Sequence, residues 1–213
     1  MDKIVLENIA KRYIKEWVFR DLSYTFIKNN AYVLLGSNGS GKSTLLQVVS
    51  SYLSPSKGKI KFFSNIELVD NDILYKKISL ATPYMELPEE FTLSEVVDFH
   101  LKFKSFRTKI TKSDFIKICY LEDAQNKIVA NFSSGMKQRL KLALAILSDT
   151  DALFLDEPTS NLDKKGIEWY KKLISDNIAD RIVVVCSNHI DDEYFFCKHQ
   201  IQIEDYKKSK KQK

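Results

Sequence analysis

The chain has 213 residues, 44% of them hydrophobic and 29% charged, with a formal net charge of +5 at neutral pH. That apolar content excludes a disordered chain and suffices for one sizeable core; the modest positive charge neither demands nor excludes contact with an anionic membrane surface or nucleic acid. The opening MDKIVLENI has no basic start followed by a long apolar run, so no secretory signal is expected. No stretch approaches the ~20 apolar residues that cross a bilayer. Cys119, Cys186 and Cys197 lack metal-type spacing, and an odd number of cysteines without a framework suits a reducing cytosol.

In chain order, Val33–Leu35 is a short apolar run ending at Gly36, which predicts a strand feeding a turn. The turn is GSNGSGKST, residues 36–44. A helix is expected over Ser43–Leu53, with Leu45, Leu46, Val48 and Val49 at helical spacing and Pro55 and Gly58 closing it. Lys59–Phe63 and Ile78–Ala81 read as strands. From about 88 to 130 the pattern is helical. Thr92 or Ser94 is placed to cap a helix, and Thr111-Lys112-Ser113-Asp114 has the form of a capping box with Asp in place of Glu. Within this stretch Val96, Phe99, Phe103 and Phe106 form either core or a contact groove. Met136–Ser148 predicts a further helix, Ala152–Leu155 a buried strand, Lys164–Asn177 an amphipathic helix and Ile182–Cys186 a second buried strand. Alternating strands and helices predict an α/β fold with a mostly parallel sheet covered on both faces. The expected layout is one domain over 1–206, with a core of about 1–87 and 131–206 and an inserted helical lobe of about 88–130. A lysine-rich tail, 207–213, follows with Lys207, Lys208, Lys210, Lys211 and Lys213.

The turn at 36–44 has the phosphate-loop pattern G-x-x-x-x-G-K-S between a strand and a helix. Gly36, Gly39 and Gly41 let the backbone curl and aim its N–H groups inward around Ser37, Asn38 and Ser40. Those N–H groups and the helix start that carries Thr44 favour phosphate oxygens. Lys42 sets an ammonium against the outer phosphates, and Ser43 offers a hydroxyl to Mg²⁺. Downstream, the apolar Leu153-Phe154-Leu155 leads into Asp156 and Glu157. Successive strand side chains point to opposite faces, so these neighbouring acids suit different tasks: Asp156 toward a hydrated Mg²⁺, Glu157 toward the water that attacks the γ-phosphate.

With these residues in hand the chain resembles the ATP-binding-cassette family over nearly its whole length. Residues 36–44 match its phosphate loop. Phe132-Ser133-Ser134-Gly135-Met136-Lys137-Gln138-Arg139 resembles its signature loop, and Leu155–Asp163 its acidic strand followed by its dimer loop, Ser160-Asn161-Leu162-Asp163. His189, just after Ile182–Cys186, stands where the family keeps a switch histidine. Tyr13, with Trp17 as a neighbouring alternative, matches the aromatic that stacks on adenine. The resemblance implies a P-loop core with N-terminal antiparallel strands, ATP and Mg²⁺ as ligands, and two copies sandwiching two ATP molecules head to tail. In that arrangement Ser133, Ser134, Gly135 and Met136 of one copy cap the γ-phosphate held by Lys42 of the other, while His189 keeps Glu157 and the water aligned.

Two departures stand out. The family places a glutamine after the strand at Ile78–Ala81, where this chain reads Ala81-Thr82-Pro83-Tyr84-Met85-Glu86. The signature carries Phe132, Ser134 and Met136 in place of leucine, glycine and glutamine, a wording similar to exporter-type cassettes. The resemblance therefore implies the ATPase subunit of a membrane exporter, cytoplasmic and peripheral on the inner face of the cell membrane. Its partners would be a second copy and a separate transmembrane permease that presents a coupling helix to the helical lobe; no nucleic acid is expected. The chain ends soon after the strand near Ile203, which implies a compact cassette without a C-terminal regulatory domain. The alternatives are a single-cassette ATPase of iron–sulfur cluster assembly and a regulatory cassette with slow turnover.

Overall fold

The computed structural model describes residues 1–207. Two long strands, β1 (Lys3–Tyr13) and β2 (Glu16–Ile27), lead into β3 (Ala31–Leu35) and, after the phosphate loop, α1 (Lys42–Val49). Next come β4 (Lys57–Ser64), β5 (Glu67–Leu68), α2 (Asn71–Lys77) and β6 (Ile78–Ala81). The helical stretch supplies α3 (Leu93–Leu101) and α4 (Lys112–Ile118), followed by α5 (Ser134–Leu147). The chain then runs through β7 (Ala152–Asp156), α6 (Lys164–Ser175), β8 (Ile182–Ser187), α7 (Asp191–Tyr194) and β9 (His199–Gln202). Lys208, Lys210, Lys211 and Lys213 of the expected tail lie outside the described residues.

The strands form two sheets. One is antiparallel in the order β2-β1-β4-β5; the other is parallel in the order β6-β7-β8-β3-β9. All residues of β3, β7 and β8 are buried, which is why their sequences run apolar without alternation. Strand alternation divides their side chains between two cores. Phe154, Val184 and Leu34 face a core shared with α1 and the antiparallel sheet, while Leu153, Leu155, Val183 and Val185 face α5, α6 and the helical lobe.

Register decides where the chemistry falls. Leu35 stands opposite Ser187 and Asp156 opposite Cys186 in neighbouring parallel strands. The phosphate loop, the acidic turn and the loop after β8 therefore leave the sheet side by side at its C-terminal edge, where open α/β sheets collect their ligands.

Both expected caps in the lobe are present as capping boxes, Thr92 with Glu95 and Thr111 with Asp114. Two expectations are corrected, and one left open is decided. α1 stops at Val49 rather than Leu53, because Ser51 turns left-handed at φ 58°. α5 begins at Ser134 rather than Met136, because the Ser133 hydroxyl already accepts the Met136 N–H as its cap. Val96 and Phe106 are buried in the core, so of the four apolar lobe residues only Phe99 (43% exposed) and Phe103 (50%) reach the surface.

α5 is held at both ends. At its C-terminus the fully buried Arg181 donates Nη1 to the Ile146 carbonyl at 2.8 Å and Nη2 to those of Ser148 at 2.8 Å and Thr150 at 3.0 Å. The Ile146 and Ser148 carbonyls are ones that a helix end leaves without intrahelical partners, that of Thr150 lies in the turn beyond, and the cation also suits the negative end of the helix dipole.

Candidate nucleotide site

The phosphate loop is shaped by close approach. Gly41 sits at φ 106°, and a Cβ there would lie 2.3 Å from the Val18 side chain of β2. Gly36 and Ser40 are buried, whereas Ser37, Asn38 and Gly39 are exposed at the loop tip; Ser43 and Thr44 are half-buried in the first turn of α1. Lys42 is buried, and its three ammonium protons go to the carbonyls of Gly36 (2.8 Å) and Ser37 (3.0 Å) and to Oδ1 of Asn188 (2.6 Å). Among the described residues no carboxylate forms a salt bridge with it. A buried ammonium held only by neutral acceptors is matched to an incoming anion.

Asp156 closes β7 and is buried, and neither carboxylate oxygen has a hydrogen-bond partner of good geometry. Burial pushes its carboxyl up to about 6; the Ser43 hydroxyl and Lys42 ammonium oppose the rise, and the Glu157 charge adds to it. Glu157 begins the turn beyond the strand in a left-handed conformation at φ 46°. For a residue with a Cβ this costs ~1–2 kcal/mol. It is pinned by its N–H to the Cys186 carbonyl at 3.0 Å and by its carbonyl, which accepts from Ser160 N–H at 3.0 Å. Its Oε1 accepts from Asn188 Nδ2 at 2.7 Å. His189 is likewise left-handed, at φ 62°, and its ring is exposed. Lys42, Asn188, Glu157, Asp156 and Ser43 thus converge, with His189 at the margin next to Asn188.

Ser133 and Ser134 are exposed, Gly135 and Met136 half-buried. Among the described residues no hydrogen bond joins Ser133–Met136 to the phosphate loop of the same protomer. They lie instead beside the acidic turn. A Cβ on Gly135 would lie 3.2 Å from the Asn161 carbonyl, and the buried Gln138 donates Nε2 to the Pro158 carbonyl at 3.0 Å. In the following loop Asn161 is left-handed, the Leu162 N–H donates to the Thr159 carbonyl, and Asp163 caps α6 through Gly166 N–H at 2.8 Å. The Ser160 hydroxyl is buried without a partner. Thr159 is anchored by the fully buried Glu193, which accepts from its N–H and hydroxyl.

Tyr13 ends β1 half-exposed, with Lys11 Nζ 5.4 Å from its ring. Trp17 is covered by cations, Arg12 and Lys57 each at 5.4 Å and Arg20 at 4.8 Å. Of the two aromatics, Tyr13 offers the freer face.

Sequence reasoning missed Asn188, Gln138, Glu193 and Glu204. A carboxamide directly after a buried parallel strand and next to His189 was the signal available for Asn188. Glu204, on a 3-10 turn over Ile203–Tyr206, accepts from Ser37 N–H at 2.8 Å and Ser37 Oγ at 3.1 Å, and no local pattern announces that contact.

The sequence matches the family described as "ABC transporter" over residues 19–160, and the chain belongs to that family. It is an ATP-binding cassette of the kind that serves transporters, and an ATPase. It is 33% identical over 192 residues to the uncharacterized ABC transporter ATP-binding protein YybJ of Bacillus subtilis (strain 168), covering 89% of this chain and 87% of that protein. The Nod factor export ATP-binding protein I of Rhizobium johnstonii is 31% identical over 193 residues, covering 89% of this chain, which spans 62% of that protein's length. Other relatives are named for import. In fold, the chain resembles a dimeric post-hydrolysis state of the ATP-binding cassette MJ0796 bound to ADP and Pi, with a TM-score of 0.77 and 23% identity over 93% of each chain.

Proposed function

We propose that residues 36–44 bind the triphosphate of ATP, that Tyr13 stacks on adenine, and that Glu157 is the general base of hydrolysis. One observation carries the reading: a buried ammonium, Lys42, has only neutral partners while two acids, one of them without hydrogen bonds, stand beside it. Water attacks the γ-phosphorus, the bond from that phosphorus to the bridging oxygen breaks, and Glu157 takes the proton as ADP and inorganic phosphate form. His189 is placed to contact the γ-phosphate from the margin.

The orphaned oxygens of Asp156 and the nearby Ser43 hydroxyl fit Mg²⁺, which prefers one or two protein oxygens and fills the rest of its shell with water and phosphate. When bound it would neutralise charge on the β- and γ-phosphates.

We further infer a head-to-tail pair in which Ser133, Ser134, Gly135 and Met136 cap the partner's γ-phosphate and Ser160–Asp163 line the seam. The exposed Ser133–Ser134 turn at the start of a 14-residue helix supports this, since a helix N-terminus favours an anion. The transmembrane permease would seat in a cleft of about 640 Å³ between the end of α1, α2 and the helical lobe. Tyr52, Leu74, Tyr75, Met85, Leu87 and Lys104 line it, and Tyr52 is 73% exposed. On this reading the chain works at the inner face of a membrane as an exporter subunit, one domain with its lobe inserted at about 88–130. Among the described residues no helix is long and apolar enough to cross a membrane.

The test is Glu157→Gln with Mg²⁺ and ATP, followed by light scattering. An ATP-dependent dimer is expected; a variant that binds ATP yet stays monomeric with and without the permease would sink the paired mechanism.

A further inference from the structure

Asn188 joins the two groups on which hydrolysis depends. Its Oδ1 accepts from Lys42 Nζ at 2.6 Å and its Nδ2 donates to Glu157 Oε1 at 2.7 Å. The amide has only one workable orientation here. An ammonium has no acceptor and an ionised carboxylate has no donor, so exchanging Oδ1 and Nδ2 would lose both bonds. The carboxamide is half-buried and follows Ser187, the last residue of β8, whose cross-strand neighbours lead into the phosphate loop on one side and the acidic turn on the other. No other side chain donates to the Glu157 carboxylate among the described residues.

We propose that Asn188 is a positioning residue for ATP hydrolysis, an inference that rests on the assignment of Lys42 and Glu157 above. Each of the three ammonium protons of Lys42 already has an acceptor, so an arriving phosphate must replace at least one. Two of those acceptors are carbonyls of the loop itself; the third is Asn188. Releasing Asn188 lets Lys42 turn to phosphate while Nδ2 keeps Glu157 Oε1. Glu157 then presents Oε2 to the water. A neutral amide does this without altering the charge of the base. A carboxylate in its place would keep the shape but offer Glu157 no donor, only a second acceptor.

The test compares Asn188→Ala, Asn188→Asp and Lys42→Ala with the unaltered full chain. ATP affinity is measured by fluorescence titration, kcat at saturating Mg²⁺-ATP, and melting temperature in parallel. Asn188→Ala is expected to lower kcat roughly tenfold or more with ATP affinity changed by less than about threefold. Asn188→Asp keeps the shape but loses the donor to Glu157 Oε1, so its kcat is expected to fall at least as far as that of Asn188→Ala. The inference is overturned if Asn188→Ala turns over within about twofold of the unaltered chain, if its loss only tracks a fallen melting temperature and ATP affinity, or if the Asp variant, which lacks the donor, keeps full turnover. Lys42→Ala separates the two levels. If it still binds ATP, the site assignment itself fails; if it loses ATP while Asn188→Ala turns over normally, only the role of Asn188 fails.

Discussion

Glu204 and Ser37 lie far apart in sequence and touch in space: the Glu204 carboxylate accepts both the backbone N–H and the hydroxyl of Ser37, at 2.8 and 3.1 Å. The Ser37 backbone bond holds the exposed acid below the usual carboxylate range, so it stays ionised at neutral pH. A Cβ on Gly36 would lie 2.7 Å from the same carboxylate. A fixed negative charge therefore flanks the loop assigned to phosphate. Replacing Glu204 by Gln keeps an acceptor and removes the charge. ATP should then bind severalfold more tightly at low salt, with the gap closing as salt screens the repulsion. A titration series over salt concentration reads this out, and equal affinities at low salt would contradict it.

Lys42→Ala should abolish ATP binding, because nothing else among the described residues offers a buried cation to the outer phosphates. Glu157→Gln should bind ATP normally yet hydrolyse ~10²–10⁴-fold more slowly, the usual worth of a positioned general base. Binding and single-turnover measurements on both variants decide between loss of the ligand and loss of the chemistry.

Asp156 predicts a stability that depends on pH. Its carboxyl is pushed up to about 6 in the fold by burial. The folded state thus holds the proton more tightly than the unfolded chain, in which the group ionises near pH ~3.9. Stability is favoured below that value, is lost as pH rises toward about 6, and stays lower above it. Asp156→Asn escapes the penalty and should raise stability above pH 6, by ~3 kcal/mol at most, with no gain below pH ~4. Denaturation at several pH values checks the sign. Added Mg²⁺ and ATP should reverse the ranking, since only the carboxylate serves the cation.

Arg181 predicts the cost of unpairing a helix end. Replacing it by Met leaves the Ile146 carbonyl buried without a donor, while the Ser148 carbonyl keeps the Thr150 N–H and the Thr150 carbonyl keeps Arg107 Nη1. An unsatisfied buried group costs ~1–3 kcal/mol, so a loss of that order is expected in urea denaturation. Burial brings the guanidinium down to about 9, and it still carries its charge at neutral pH.

What could be read from residues alone follows a physical line. Val33–Leu35, Ala152–Leu155 and Ile182–Cys186 were legible because strands buried on both faces need apolar side chains at every position. Thr92 and Thr111 were legible because a capping box is a local pattern. α5 starts at Ser134, ahead of the expected Met136, because Ser133 caps it through the Met136 N–H. The apolar spacing of Val96, Phe99, Phe103 and Phe106 could not say which side faces the core, which depends on how Phe106 stacks on Phe115. Asn188 and Glu204 act through neighbours brought close by strand order and by a late 3-10 turn, and no local pattern encodes either.

Gln138 donates to the Pro158 carbonyl, and Gly135 lies close enough to Asn161 that an added Cβ would stand 3.2 Å from its carbonyl, so the start of α5 is tied to the acidic turn. In a facing pair, the two together would carry one copy's general base at one end and the cap over its neighbour's triphosphate at the other. Any shift of the acidic turn as a phosphate bond breaks would be levered across the seam to the opposite ATP, giving the two sites a mechanical reason to fire in turn.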